Sequence, residues 1–189
     1  SVDLALGDVL LARGMFPEAE TAYRAVIDAG VPDPDLRIHK RLIESLIQQG
    51  KSAEAEKMFV DLGDRADADV ELMAQRAQLA HQSGDLRKCR EILDRAVSKF
   101  PEEPLPYLRR ARLNMLMPGL DNDAIADLGT AIRLRPNFWQ AYRARATIYL
   151  AQGKPEDAMR DWRMAVDTNP SLDPLRLGLI DLYLSQNRE

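Results

Sequence analysis

The feature that most constrains the fold is a repeated spacing of about 34 residues, a length at which sequence repeats build helical arrays. Gly84 follows Gly50 at this spacing, and Gly153 follows Gly119 at the same spacing. A fixed period of this kind is typical of solenoids, in which each small unit packs only against its neighbours. The sequence therefore predicts a repeat array and not one compact core.

Each period contains two helical patterns, which are clearest in the last complete unit. Tyr142, Ala146 and Tyr149 recur at intervals of three and four residues, the spacing of one helical face. Gly153 then supplies a residue that commonly ends a helix. Pro170 closes the unit because proline cannot continue a helix. The unit is therefore predicted to be a pair of antiparallel helices.

This arrangement resembles the tetratricopeptide repeat (TPR) family, whose unit has about 34 residues in two antiparallel helices. Ala158, Trp162 and Ala165 match its alanine, aromatic and alanine pattern on the second helix, and Trp162 is expected in the core. The resemblance covers essentially the whole chain. It implies an all-α fold, a right-handed α-solenoid of about eleven antiparallel helices (a TPR superhelix). We expect a single domain over residues 1–189, cut from a longer protein, with repeats at 1–32, 33–68, 69–103, 104–137 and 138–171 and a partial repeat at 172–189.

Composition excludes several classes of function. One cysteine allows neither an internal disulfide nor a multi-cysteine zinc site. A net charge of −4 and a pI near 5.3 oppose general affinity for nucleic acid. No apolar run approaches the roughly 20 residues of a membrane-spanning helix. We predict no nucleic-acid partner and no membrane insertion. The sequence does not identify the cellular compartment, because a targeting segment could be missing from it. Among the compartments, the cytoplasm is favoured.

No catalytic constellation is visible. The histidines are His39, at a packing position, and His81, on the face that the family uses for ligands. Cys89 falls at a small, buried position of a second helix, where a thiol behaves as a hydrophobe. The phosphate-binding, dinucleotide-binding and zinc-protease motifs are absent from the sequence. We predict no catalytic residue, no metal site and no cofactor, and so a protein that is not an enzyme.

The resemblance also predicts a binding groove, because first helices line the concave surface of TPR proteins. The groove positions are more basic than the whole chain, and arginine binds carboxylates bidentately. An extended peptide or protein segment of acidic character is therefore the expected ligand. The alternative, an ordinary solvated face whose residues pair among themselves, stays open. The predicted peptide-binding residues are Arg37, Lys40, Arg41, Glu44, Gln75, Gln78, His81, Arg109, Arg112 and Arg143.

Two narrower roles are not transferred from the family. One subtype grips the C-terminal carboxylate of chaperone tails, and Lys40 matches its lysine. Glu44, however, stands where that subtype has asparagine. Arg76, Arg110 and Arg145 share one register in successive repeats, which is common in the family. Because such a stem can pack while its charged head stays in water, we favour a structural role for all three.

The two ends of the chain favour a second function. A solenoid needs polar capping helices, yet the first and last predicted helices are apolar on most sides. This indicates a self-assembly module that forms a homo-oligomer, alongside or instead of ligand capture. RNA binding by a similar helical repeat is less favoured because of the repeat spacing and the acidic pI. The predicted self-association residues are Leu4, Leu11, Leu175, Leu179 and Tyr183.

Overall fold

The computed structural model describes residues 2–169 of the chain. Within that range the fold is all-α, as the periodicity predicts, with eleven helices and no β-strand. Helices of three to four turns alternate with short connections, apart from one short helix. The helices are α1 (Val2–Ala12), α2 (Phe16–Asp28), α3 (Arg37–Gln48), α4 (Ser52–Leu62), α5 (Asp64–Asp67), α6 (Val70–Gln82), α7 (Leu86–Lys99), α8 (Pro104–Asn114), α9 (Asp121–Leu134), α10 (Trp139–Ala151) and α11 (Pro155–Thr168).

The helix set differs from the predicted one in one place. The four-residue helix α5 lies at the end of the second repeat, where the two-helix pattern predicts no further helix. Gly63 precedes it with a φ of 53°, a backbone conformation that glycine adopts without steric cost. The helix predicted at 172–189, with Leu175, Leu179 and Tyr183, lies outside the described residues.

The chain divides into two compact units, and the boundary falls between Ile92 and Leu93, inside α7. In the N-terminal unit, helices that follow one another in sequence pack together, and α3 also packs on α1 and on α6. In the C-terminal unit, α10 packs on α8, α9 and α11. First helices of successive repeats are thus neighbours within each unit, so their outward side chains share one surface.

The glycines of the repeat period have a common backbone role. Gly50, Gly84 and Gly153 each follow a first helix and have φ values of 71°, 80° and 68°. An L-residue with a Cβ is strained in this left-handed region. The N–H of Gly153 donates to the carbonyl of Leu150 at 3.0 Å, which closes the end of α10. The repeat period is therefore set partly by the backbone geometry of the turn.

The core of each unit is built where small residues let two helices approach closely. In the N-terminal unit, a Cβ on Gly7 would lie 2.7 Å from the ring of Tyr23, which is fully buried. Phe59 fills the same aromatic position in the next repeat and is also buried. Trp162, at that position in the C-terminal unit, is only partly buried. Trp162 is therefore less enclosed than the core position predicted for it.

Among the described residues, no helix combines the length and apolar character needed to cross a membrane.

Candidate peptide-binding surfaces

The predicted ligand-binding residues lie on the first helices α3, α6, α8 and α10. Because the chain forms two units, these residues form two surfaces, which we name by unit. The N-terminal surface consists of Arg37, Lys40, Arg41, Glu44, Gln75, Gln78 and His81. The C-terminal surface consists of Arg109, Arg112 and Arg143.

Lys40 is held within the N-terminal unit. Its Nζ lies 2.6 Å from Asp69 Oδ2 and 3.7 Å from Glu71 Oε2, and the side chain is 17% exposed. Burial alone would lower the pKa of Lys40, but the two carboxylates outweigh burial and raise it. Gln75 Nε2 donates to the carbonyl oxygen of Lys40 at 3.0 Å. The polar groups of Lys40 are therefore largely used by the fold.

The two arginines of the N-terminal surface are also neutralised by acids of their own unit. Arg37 Nη2 donates to Asp8 Oδ2 at 2.5 Å. Arg41 Nη1 donates to Glu44 Oε2 at 3.1 Å, and its Nε lies 3.9 Å from Asp8 Oδ1. Burial would lower the pKa of Arg41, but Glu44 and Asp8 raise it overall. This surface matches the self-paired, solvated face that the sequence left open as the alternative.

The two remaining residues of the N-terminal surface add little charge. Gln78 is half-buried and His81 is exposed, both on α6. Gln75, beside them, is buried, and its Oε1 has no hydrogen-bond donor in the part of the chain that the structure describes. The N-terminal surface therefore presents a nearly balanced charge to solvent.

The C-terminal surface has the opposite character. Arg112 is partly buried on α8, and no ion pair of Arg112 or Arg143 occurs within residues 2–169. Burial lowers the pKa of Arg112, and the positive charges of Arg109 and Arg143 lower it further. Arg143 is exposed, and its guanidinium lies over the ring of Trp139, 5.4 Å from the ring centre. The described carboxylates therefore leave the charges of Arg112 and Arg143 unbalanced.

A pocket opens beside these two arginines. Its volume is about 360 Å³, and α8, α10 and α11 contribute to its walls. None of the described residues that line it is acidic. The indole Nε1 of Trp162 is buried and has no acceptor in the described structure, an arrangement that typically costs about 1–3 kcal/mol. The lining residues are Arg112, Met115, Arg143, Ala144, Thr147 and Trp162.

Two further arginines of the C-terminal unit are held in the fold by bidentate pairs. Arg110 donates to both carboxylate oxygens of Asp127, at 2.9 and 2.8 Å. Arg145 does the same with Asp161, at 2.6 and 2.8 Å. These hydrogen bonds are the main cause of the raised pKa of each arginine. Arg76 pairs with a carboxylate of α4 at 3.1 Å. The charged heads of this register are thus held by carboxylates of the fold and do not stay in water as the sequence analysis expected.

The predicted self-association residues of the first helix point mainly into the protein. Leu4 and Leu11 are partly buried and pack against the core of the N-terminal unit. The exposed apolar side chains of α1 are instead Val2, Leu6 and Val9, with 84%, 50% and 48% of their surface accessible. An apolar surface on α1 therefore exists, but these three residues form it.

His39 and Cys89, two side chains that could act in catalysis or bind a metal, are buried or held in contacts of the fold. No cluster of three or more histidine, cysteine, aspartate or glutamate side chains within residues 2–169 could hold a metal ion. His39 Nδ1 lies 2.7 Å from Asp33 Oδ2 and so helps to hold the start of α3. Cys89 is buried.

The residues that the sequence analysis missed are acidic partners and one aromatic. Asp8 lies on α1, a helix for which no ligand position was assigned, and Asp69 precedes α6 as its N-cap. Both carboxylates neutralise basic residues of the N-terminal surface. Trp162 lies on a second helix, where the repeat pattern indicates core. Only the three-dimensional packing of α11 beside α10 reveals it as a pocket wall.

Comparison with known proteins agrees with this architecture. The sequence profile of the tetratricopeptide repeat family matches residues 4–70 and 122–172, and a second profile of the same description matches residues 70–113. The matches together cover most of the chain and indicate no catalytic family. The protein belongs to the tetratricopeptide repeat family, whose fold is that of protein–protein interaction scaffolds.

Three individual proteins that resemble this chain are between 16% and 25% identical to it over the aligned residues. The chain is similar to the ETO1-like protein 2 of Arabidopsis thaliana, with 25% identity over 94% of this chain but only 18% of that protein. The fold resembles that of TTC0263, a thermophilic TPR protein of Thermus thermophilus, with a TM-score of 0.78, 21% identity and coverage of 96% and 97% of the two chains. It also resembles the first TPR of Spaghetti (RPAP3) bound to the HSP90 peptide SRMEEVD, with a TM-score of 0.56, 16% identity and coverage of 62% and 93%.

Proposed function

We propose that this chain is an interaction scaffold that binds an acidic peptide or protein segment on the surface of the first helices of its C-terminal unit, α8 and α10. The observation that carries the proposal is Arg112, which is partly buried beside Arg109 and Arg143 and forms no ion pair within the described chain. Arginine in such a setting gains most from an external carboxylate, because its planar group donates two parallel hydrogen bonds. An acidic ligand would also relieve the repulsion among like charges.

The peptide complex of the similar fold supports this choice of ligand. The peptide SRMEEVD in that structure contains two glutamates and one aspartate. At 16% identity the likeness shows the fold alone, so it supports the use of a TPR surface for an acidic peptide and not the same partner. The proposed class of ligand rests on the arginines of this chain.

Fluorescence anisotropy with peptide pools tests the proposal. We expect an amidated, glutamate-rich pool to bind the wild type at least about tenfold more tightly than its glutamine isostere, since hydrogen bonds to charged groups are the stronger ones. The variant Arg112→Glu/Arg143→Glu should lose this preference. Arg87→Glu/Arg133→Glu, two exposed residues of second helices, changes the net charge equally and should keep it. Equal binding of both pools, or no binding of either, would refute the proposal.

A second function, self-association, has its own observation. Val2, Leu6 and Val9 give α1 an exposed apolar stripe, and apolar stripes of this kind mark interaction surfaces. If α1 mediates assembly, Leu6→Lys/Val9→Lys should reduce the mass measured by light scattering while helicity stays unchanged. A wild-type monomer at high concentration would exclude this function.

A further inference from the structure

We infer that the pocket between α8, α10 and α11 is the anchor of the binding surface, and that it takes one carboxylate of the partner together with an adjacent apolar side chain. The inference rests on the proposed function and makes it more specific. It assigns a pocket, a chemical pattern in the ligand, and a role for Trp162. It also predicts that the N-terminal surface contributes little to the affinity for the ligand.

The charge of the pocket favours a carboxylate. Arg112 and Arg143 both line it, and the lining in the described structure contains no acid that could neutralise them. The charge of Arg109 also acts on Arg112. A guanidinium that is partly buried among like charges is poorly solvated, so a ligand carboxylate replaces lost hydration and reduces repulsion at once. The pocket therefore attracts an anion more strongly than an exposed arginine would.

The remaining walls favour an apolar neighbour of that carboxylate. Met115, Ala144 and the ring of Trp162 line the same pocket as Arg112. A volume of about 360 Å³ lies at the lower end of the range for small-ligand sites, about 300–1,000 Å³. The pocket thus suits one or two side chains and not a long stretch of peptide. A ligand with leucine or methionine next to glutamate or aspartate would contact both the apolar and the basic walls of the pocket.

Trp162 has a specific place in this scheme. Its indole nitrogen is a buried donor without an acceptor among residues 2–169. A ligand oxygen in the pocket that Trp162 lines is the acceptor we propose for this hydrogen bond. Buried polar groups are nearly always hydrogen-bonded in folded proteins, and an exception calls for an explanation. One such explanation is that a bound ligand supplies the missing acceptor.

The N-terminal surface lacks the same features. Lys40 is already paired with Asp69, and Arg41 is paired with Glu44. A ligand carboxylate would have to displace these internal carboxylates before it gained a hydrogen bond. Arg41 and Arg112 are both arginines on first helices, but of the two only Arg41 has an acidic partner among the described residues.

Nuclear magnetic resonance can test the anchor directly, because the chain contains only two tryptophans. The probe is the doubly blocked peptide acetyl-SLELS-amide, and Trp162→Phe assigns the two indole N–H signals. We expect this peptide to shift the Trp162 signal on titration. Acetyl-SLQLS-amide should not shift it, because the glutamine lacks the charge. Acetyl-SAEAS-amide should bind several-fold more weakly than the leucine peptide.

The variants separate the anchor from general binding. Arg112→Met keeps the apolar stem and removes the charge, and should weaken acetyl-SLELS-amide about tenfold. Arg133→Met, at an exposed position of the second helix α9, should change its affinity less than about twofold. A peptide with a free C-terminus, acetyl-SLQL, tests the other source of a carboxylate: if it shifts Trp162 as strongly as the glutamate peptide, the anchor takes a chain terminus as well as a side chain.

The two proposals fail in different ways. If glutamate-rich peptides bind but Arg112→Met binds them as well as the wild type, or if the Trp162 signal does not move, the anchor is refuted and the proposal of an acidic ligand stands. If no glutamate-rich peptide binds the wild type in the anisotropy experiment, both proposals are refuted. Circular dichroism of each variant checks that the helices are retained.

Discussion

The two units of this protein carry similar numbers of basic groove residues but use them differently. In the N-terminal unit, Arg37, Lys40 and Arg41 all contact carboxylates of the same unit. In the C-terminal unit, Arg112 and Arg143 form no ion pair in the described chain. The comparison shows that the number of positive charges on a surface does not measure how many of them a ligand can use.

Part of the difference arises at the start of a helix. Asp69 is the N-cap of α6: its carboxylate accepts hydrogen bonds from the N–H groups of Glu71 and Leu72 and also lies beside Lys40. The N-cap residue of α10 is Phe138, which is buried and carries no charge. The capping position that supplies a counter-charge to the N-terminal surface thus supplies none to the C-terminal one.

The largest predicted effect separates a partly buried arginine pair of the C-terminal unit from an exposed one. Asp161→Ala should lower the free energy of unfolding by about 2–3 kcal/mol, because it leaves Arg145 partly buried without its bidentate partner. Urea denaturation measures the change. Asp157→Ala is a matched control on the same helix: Asp157 pairs with Arg160, whose side chain is 75% exposed, so the loss should stay below about 0.5 kcal/mol. Equal losses would contradict the distinction.

The next prediction concerns the acids that stabilise the N-terminal unit. Burial would raise the pKa of Glu20, but hydrogen bonds from Lys51, Gln49 and Arg24 outweigh burial and lower it below its ordinary value of 4.5. A carboxyl group with a lowered pKa in the folded state stabilises the fold above its unfolded pKa. That contribution is lost as the pH falls through the folded pKa. We therefore expect stability to decline below about pH 4.5.

Glu20→Gln tests this contribution. The variant should be less stable by about 1–2 kcal/mol at pH 7, where the charge-assisted hydrogen bonds are lost. Its stability should fall less than that of the wild type between pH 6 and pH 3. Hydrogen exchange read separately in the two units locates the effect, which we expect in the N-terminal unit. An identical pH dependence in both proteins would show that other carboxyl groups control the acid transition.

The sequence predicted the repeat pattern well, because period and backbone geometry are local properties. The glycine at the end of a first helix is required by the left-handed turn, as Gly153 shows. The positions of Arg112 and Arg143 on first helices followed from the same register. The pairing of charges did not, since Asp8 and Arg37 are 29 residues apart in sequence. Nor did the partial exposure of Trp162, which depends on how α11 packs.

The smallest predicted effect bears most directly on the comparison of the two surfaces. Arginine stays protonated near neutral pH, so the lowered pKa of Arg112 means that its charge raises the free energy of the folded state. Arg112→Met should therefore stabilise the protein by about 0.5 kcal/mol while it weakens peptide binding, a trade-off common at functional sites. Arg41→Met removes a paired charge and should destabilise by about 0.5 kcal/mol. Thermal unfolding of both variants at low salt measures the two signs, and salt should reduce both effects because it screens exposed charges. If both variants lose stability equally, the charge of Arg112 is compensated within the fold, and the contrast between the two surfaces is wrong.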